Sequence, residues 1–250
     1  MEIKVLGIRI DILTSEEAIT RISNWIDGRE HGKYTTLTNV HMVVEARRSE
    51  EFRAVLREAS LCLPDGMPLV WIARARGIKA NRVSGPDLMI DFCKKTGNKG
   101  YRHFFYGGAP GVPKELAQSL QQRFPDLKVA GWYSPPFREL TLDETADVIR
   151  KINETSPDVI WVGLGCPKQE RWMRANCERL GAPVMLGVGQ AFDVHTGHLP
   201  RAPKFMCEHG LEWLFRLCVE PRRLWRRYLV TNTSFLAGLF VEALGLKRFE

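Results

Sequence analysis

Short runs rich in β-branched and aromatic residues alternate with longer amphipathic runs along most of this chain, and this alternation is the strongest constraint on its fold. Strand-like segments fall at 3–10, 34–39, 101–106, 127–132, 158–163 and 183–188, with a short apolar run at Leu61-Cys62-Leu63. Helix-like segments fall at 15–29, 41–59, 86–97, 111–124, 141–155 and 168–180. Strands separated by helices become parallel neighbours, so the pattern predicts an α/β fold: a mainly parallel, Rossmann-like sheet with helices on both faces. Thr14-Ser15-Glu16-Glu17 has capping-box spacing, and Thr141-Leu142-Asp143-Glu144 sets a cap residue before first-turn acids that suit the helix dipole. No repeat or low-complexity linker interrupts the first part of the chain. Residues 1–200 therefore read as one α/β domain and 201–250 as a helical, basic and apolar C-terminal appendage.

Three runs end in glycine: Phe105-Tyr106-Gly107-Gly108, Val162-Gly163-Leu164-Gly165 and Leu186-Gly187-Val188-Gly189. In a parallel sheet the carboxyl ends of the strands form the ligand crevice, where glycines let the backbone approach a phosphate or a sugar. Each pair alone is ordinary turn chemistry; three together point to a nucleotide-type pocket. Leu63-Pro64-Asp65-Gly66 puts a carboxylate on a tight turn at the edge of that crevice, so Asp65 is a candidate general base or an aspartate bonded to its own turn. In Asn81-Arg82-Val83-Ser84-Gly85-Pro86-Asp87, Arg82 precedes a helix start and is a candidate phosphate ligand, while Asp87 reads as a helix-start residue. Gly165-Cys166-Pro167-Lys168-Gln169 joins a strand to a helix, with Lys168 and Gln169 in reach of a diphosphate or a sugar hydroxyl. Gln190 and Asp193 take similar positions after the next strand.

The six cysteines are scattered with no C-x-x-C pair, and the N-terminus enters a strand pattern without the basic and apolar regions of a secretory signal. Both features lead to the expectation of a reducing, cytoplasmic setting. His195, His198, Cys207 and His209 match no common zinc spacing, and no D-x-D motif occurs, so no metal is expected. The net charge of +7 implies an anionic partner. Its densest part, Pro221-Arg222-Arg223-Leu224-Trp225-Arg226-Arg227-Tyr228, is either a solvated helix face or a footprint on an anionic membrane surface. From Tyr228 to Leu246 the only charge is Glu242, but Thr231-Asn232-Thr233-Ser234 interrupts the apolar run, which reads as interfacial or packed and not as a membrane span.

Taken in order, Thr38-Asn39, Leu63-Pro64-Asp65-Gly66, Arg82 to Leu88, Gly107-Gly108, Val162 to Glu170, Gly187 to Asp193, Gly197 to Pro203, Gly210 to Arg216 and Glu220 to Arg223 resemble the WecG/TagA/CpsF glycosyltransferase family, glycosyltransferase family 26. The resemblance implies an inverting transfer from a UDP-sugar, typically of N-acetylmannosamine type, to a sugar-diphosphate-polyprenol at the inner face of the cell membrane, with no cofactor. It implies Asp65 as the base on the acceptor hydroxyl, Thr38 and Asn39 near the reacting sugars, and Arg82 and Gln169 on the diphosphate or donor sugar. Val40 and Gln190 stand where the family often has proline and glycine. Two other readings compete. An NAD-dependent oxidoreductase would need G-x-G-x-x-G spacing, which Gly107-Gly108-Ala109-Pro110-Gly111 lacks. A basic nucleic-acid or membrane adaptor would have no use for a strand-end aspartate and glycine-terminated strands. The expected partners are thus the UDP-sugar, a lipid-linked acceptor and an anionic membrane surface, without nucleic acid, and self-association into a homo-oligomer stays open.

Overall fold

The computed structural model describes residues 1–246. Its centre is a six-stranded sheet, all parallel, built from β3 (Lys33–Thr38), β4 (Leu61–Pro64), β5 (Arg102–Gly107), β6 (Lys128–Tyr133), β7 (Val159–Gly163) and β8 (Val184–Gly187), in the order β4-β3-β8-β7-β5-β6. The 3–10 segment is not one strand but a hairpin, β1 (Glu2–Val5) with β2 (Ile8–Asp11). The reason lies in Leu6-Gly7, where both residues take positive φ, 50° and 81°, the twist a two-residue hairpin turn requires. The hairpin lies against the open side of β4, and Asp11 Oδ2 accepts from the Cys62 N–H at 2.7 Å, which occupies a donor of that edge strand.

Strand residues alternate between two cores, as period-2 geometry requires. Phe104, Tyr106, Ile160, Val162 and Met185 face the side covered by the hairpin, α2 (Val40–Arg48), α3 (Glu50–Glu58), α4 (Met67–Ala75), α7 (Leu142–Glu154) and α8 (Lys168–Asn176). Phe105, Val159, Trp161, Val184 and Leu186 face the side covered by α1 (Ser15–Asp27), α5 (Gly85–Thr96), α6 (Val112–Arg123) and α9 (Ala191–Thr196). Both capping boxes form, Thr14 with Glu17 and Thr141 with Glu144. The single helix expected over 41–59 is two helices. Ser49 leaves the helical region (φ −132°, ψ 112°), and its Oγ accepts from Phe52 N–H at 3.1 Å, so it ends α2 and caps α3. Helix α4 has no counterpart among the sequence-based segments.

After residue 200 the chain forms α10 (Lys204–Glu208), α11 (Glu212–Val219) and α12 (Pro221–Ala243); the helical expectation for 247–250 falls outside the described residues. Leu224, Thr231, Phe235 and Gly238 form a buried stripe on α12, which packs on α2, with Arg48 donating to Ser234 Oγ at 2.9 Å. The other side of α12 exposes Trp225, Leu229, Leu236 and Phe240. Both readings of the tail thus have a face: one packs as ordinary structure, the other is apolar and uncovered. Among the described residues no helix is long and apolar enough to cross a membrane.

Candidate functional site

The carboxyl ends of β4, β3, β8, β7 and β5 lie along one edge of the sheet and carry most of the residues singled out by sequence. Thr38 pairs in register with Pro64, so Thr38-Asn39 and Asp65 leave the sheet side by side, and the Asp65 N–H donates to Thr38 O at 2.8 Å. Thr38 is fully buried, its hydroxyl 3.0 Å from that of Thr36. Asn39 caps α2 through Met42 N–H, which turns the amino end of that helix toward the crevice. The glycines permit close contacts: a Cβ on Gly107, whose φ is 126°, would sit 2.5 Å from Gly163 O, and Gly108 N–H donates to that same carbonyl at 2.9 Å.

Asp65 sits beside Arg82 and keeps only 20% of its side-chain surface exposed. The guanidinium is locked: Nε donates to the Asp65 carbonyl at 2.7 Å, and Nη2 is 3.1 Å from Asp65 Oδ1 and 2.5 Å from Glu212 Oε2 on α11. Arg216, one turn on, pairs with the other Glu212 oxygen. Burial is the main influence on Asp65 and outweighs the opposing charge of Arg82, so its carboxyl is pushed up from 3.8 to about 6, with Glu212 adding to the rise. Arg82 is held protonated more firmly than usual: its burial works against the charge, but Asp65 and Glu212 overcome it. For Glu212, burial is likewise overcome, by Arg216 and then Arg82, and its carboxyl is held low. A carboxylate poised near neutrality in a crevice can take a proton from a hydroxyl, and the adjoining fixed cations can meet an anionic substrate.

Sequence reasoning missed Glu212. It was read as part of a motif without a role, and its separation of 130 positions from Arg82 conceals the pairing. The small cavity beside the cluster, about 20 Å³ and lined by Arg82, Ser84, Arg201, Glu212 and Arg216 among others, takes a water and not a sugar. Asp87 is a helix-start residue, bonded to the Ser84 cap and paired with Arg201.

The other candidates sit on neighbouring loops. Gly165 has a φ of 75° with open space where a side chain would go. Lys168 is exposed at the start of α8. Gln169 is 4% exposed, and both ends of its amide are used: Oε1 accepts from Gly189 N–H and Nε2 donates to Glu170, each at 2.8 Å. It therefore ties the β7–α8 loop to the β8–α9 loop. Gln190 precedes α9 half-buried, and burial raises the carboxyl of Asp193 one turn later. Burial and the neighbouring Glu170 push the Cys166 thiol up, out of the range of reactive thiols. His195 meets Pro86 O, His198 meets Glu115 and His209 meets Phe205 O, so these three do not converge. On α12, Arg222, Arg223, Trp225 and Arg226 are exposed, whereas Arg227 is half-buried and near enough to His41 and Cys166 to act on both.

The ordered motifs have a counterpart across the whole chain: the profile of the Glycosyl transferase WecG/TagA/CpsF family matches residues 3–249. The chain belongs to that family. It is a glycosyltransferase. The N-acetylglucosaminyldiphosphoundecaprenol N-acetyl-beta-D-mannosaminyltransferase of Bacillus spizizenii is 31% identical over 224 residues, 88% of this chain and 85% of the relative. The Staphylococcus aureus (strain NCTC 8325) protein of the same name is 29% identical over 228 residues, 90% and 87% of the two chains. That of Bacillus subtilis (strain 168) is 29% identical over 199 residues, 79% and 75%. The membership agrees with the resemblance drawn from the motifs.

Proposed function

We propose that this glycosyltransferase moves an N-acetylmannosamine-type sugar from a UDP carrier to a sugar-diphosphate-polyprenol, with inversion at the anomeric carbon, in the synthesis of a bacterial surface polymer. The observation that carries the reading is Asp65: a carboxylate at the end of β4, partly open to the crevice and pushed up to about 6. Such a group is largely ionised at pH 7 yet basic enough to accept a proton from the acceptor hydroxyl as the hydroxyl attacks; a positioned base contributes ~10²–10⁴-fold. In a single displacement the bond to the UDP oxygen breaks as the new glycosidic bond forms, and negative charge grows on the diphosphate. The exposed Lys168, the Arg82 guanidinium and the amino end of α2 are the groups proposed to meet that charge, with Asn39 beside the reacting sugars. Gln169 acts from behind, holding the Gly189 loop in place. The relatives' acceptor, a lipid diphosphate, fits the exposed apolar face of α12 and the arginines at its start, which suit the surface of an anionic membrane. The proposed site of action is the cytoplasmic face of the cell membrane.

A panel of UDP-sugars offered with an undecaprenyl-diphosphate-linked N-acetylglucosamine tests this directly. The expected result is a lipid-linked disaccharide from UDP-N-acetylmannosamine or a close analogue, and stabilisation by UDP but not by NAD. No product from any UDP-sugar, or no response to UDP, overturns it.

A further inference from the structure

Arg82 bridges the β4 turn and helix α11, and a single guanidinium nitrogen serves a carboxylate on each. Its Nη2 lies 2.5 Å from Glu212 Oε2 and 3.1 Å from Asp65 Oδ1, and its Nε lies 3.3 Å from the same Asp65 oxygen. An arginine devoted to one carboxylate favours the ionised form and makes that carboxylate a weak base. We propose that Glu212 is a positioning residue for the transfer reaction: by sharing the Arg82 guanidinium with Asp65 it balances part of that cation's charge, and so preserves Asp65 as a base. The inference rests on Asp65 serving as the base.

The surroundings leave Glu212 as the balancing charge. Asp65 comes from the β4 turn and Arg82 from the segment before α5; Glu212 and Arg216 come from α11. Cys207 of α10 adjoins the group, and its thiol is raised by burial and by Glu212, so it brings no charge at neutral pH. Nearby Asp87 and Arg201 pair with each other. Two carboxylates and two guanidiniums thus close a neutral set, and removing the Glu212 charge turns both cations toward Asp65. The charges act on Asp65 in the same sense: Glu212 raises its carboxyl, whereas Arg82 and Arg216 lower it.

The test is Glu212→Gln, which keeps shape and hydrogen-bonding reach, measured as the pH profile of kcat/KM for the acceptor. The expected result is an acid limb moved to lower pH by roughly 0.5 or more and a plateau reduced by no more than the same factor, at most about 3-fold for a shift of 0.5, because the base is weaker. Glu212→Asp, which keeps the charge, should restore the midpoint. A uniform loss with the midpoint in place, or a shift to higher pH, overturns the proposal. Should Glu212→Gln be too slow to assay, ¹³C NMR titration of the Asp65 carboxyl, assigned with Asp65→Asn, must show the same downward shift. That titration also separates the two ideas: if Asp65 moves with Glu212 while the acid limb of the rate persists in Asp65→Asn, the base assignment fails and the Glu212 coupling stands.

Discussion

Asp65→Asn should make this protein more stable while disabling it, and the gain should depend on pH. The ionised carboxylate is held where burial opposes its charge, so the folded state binds the Asp65 proton more tightly than the unfolded chain does, at about 6 against an ordinary 3.8. A group raised in this way contributes stability below its unfolded pKa, and that stability is lost as pH rises through the folded one. At about 1.4 kcal/mol per tenfold change in proton affinity, keeping Asp65 ionised costs the fold on the order of 3 kcal/mol at pH 8. Asparagine reproduces the neutral side chain at every pH, and Arg82 keeps Glu212 as its partner. The variant should therefore exceed the parent by up to about 3 kcal/mol at pH 8 and by only about 1 kcal/mol at pH 4.5. For a chain of this size that is roughly 6–12 °C in Tm at the higher pH. Urea midpoints of both proteins at the two pH values measure it, and the other carboxylates cancel because both proteins carry them. A variant less stable than the parent at pH 8, or a gap equal at both pH values, refutes the reasoning.

Gly85→Ala would bring a Cβ to 2.5 Å from the Val188 carbonyl, a backbone contact that can only be relieved by moving α5 or the β8 loop. It should cost about 1–3 kcal/mol, whereas Gly97→Ala, with a helical φ and open space around it, should change stability by less than about 0.5 kcal/mol; thermal unfolding separates the two. Transfer should survive EDTA, since the proposed charge partners are Arg, Lys and a helix end, and loss of activity restored by manganese would point to a metal held elsewhere. Changing Arg222 and Arg226 to glutamate should weaken sedimentation with anionic liposomes without lowering Tm, because both are exposed on α12; undiminished sedimentation would leave the α12 surface without that role.

The sheet was legible because its inner strands are short and buried on both faces, three of them end in glycine, and Thr14 and Thr141 announce their helices with acids three residues on. Asp65 was legible as a candidate because Pro-Asp-Gly ends an apolar run, but the tripeptide equally suits an aspartate bonded to its own turn, and the base role came from the family resemblance. The hairpin was hidden by the continuous alternation of 3–10, in which Gly7 was the one available signal. The break at Ser49 had a signal that periodicity overrode: a cap residue between a basic helix end and two glutamates. Helix α4 likewise begins at Met67-Pro68, a proline in the first turn directly after the Asp65 turn. Glu212 and the inward-facing amide of Gln169 could not be read at all, because each acquires its meaning from a residue brought near only by the tertiary fold. The tail divided between two readings for a physical reason: α12 has a packed stripe and an exposed apolar one, and composition sums them.

The claim on which the account turns is that the Asp65 carboxylate takes the acceptor's proton. Turnover of Asp65→Asn, measured with the lipid-linked acceptor alongside UDP binding by calorimetry, tests it most directly. The account predicts UDP affinity within about threefold of the parent and turnover lower by ~10²-fold or more. Turnover close to the parent's, with UDP binding intact, would contradict it.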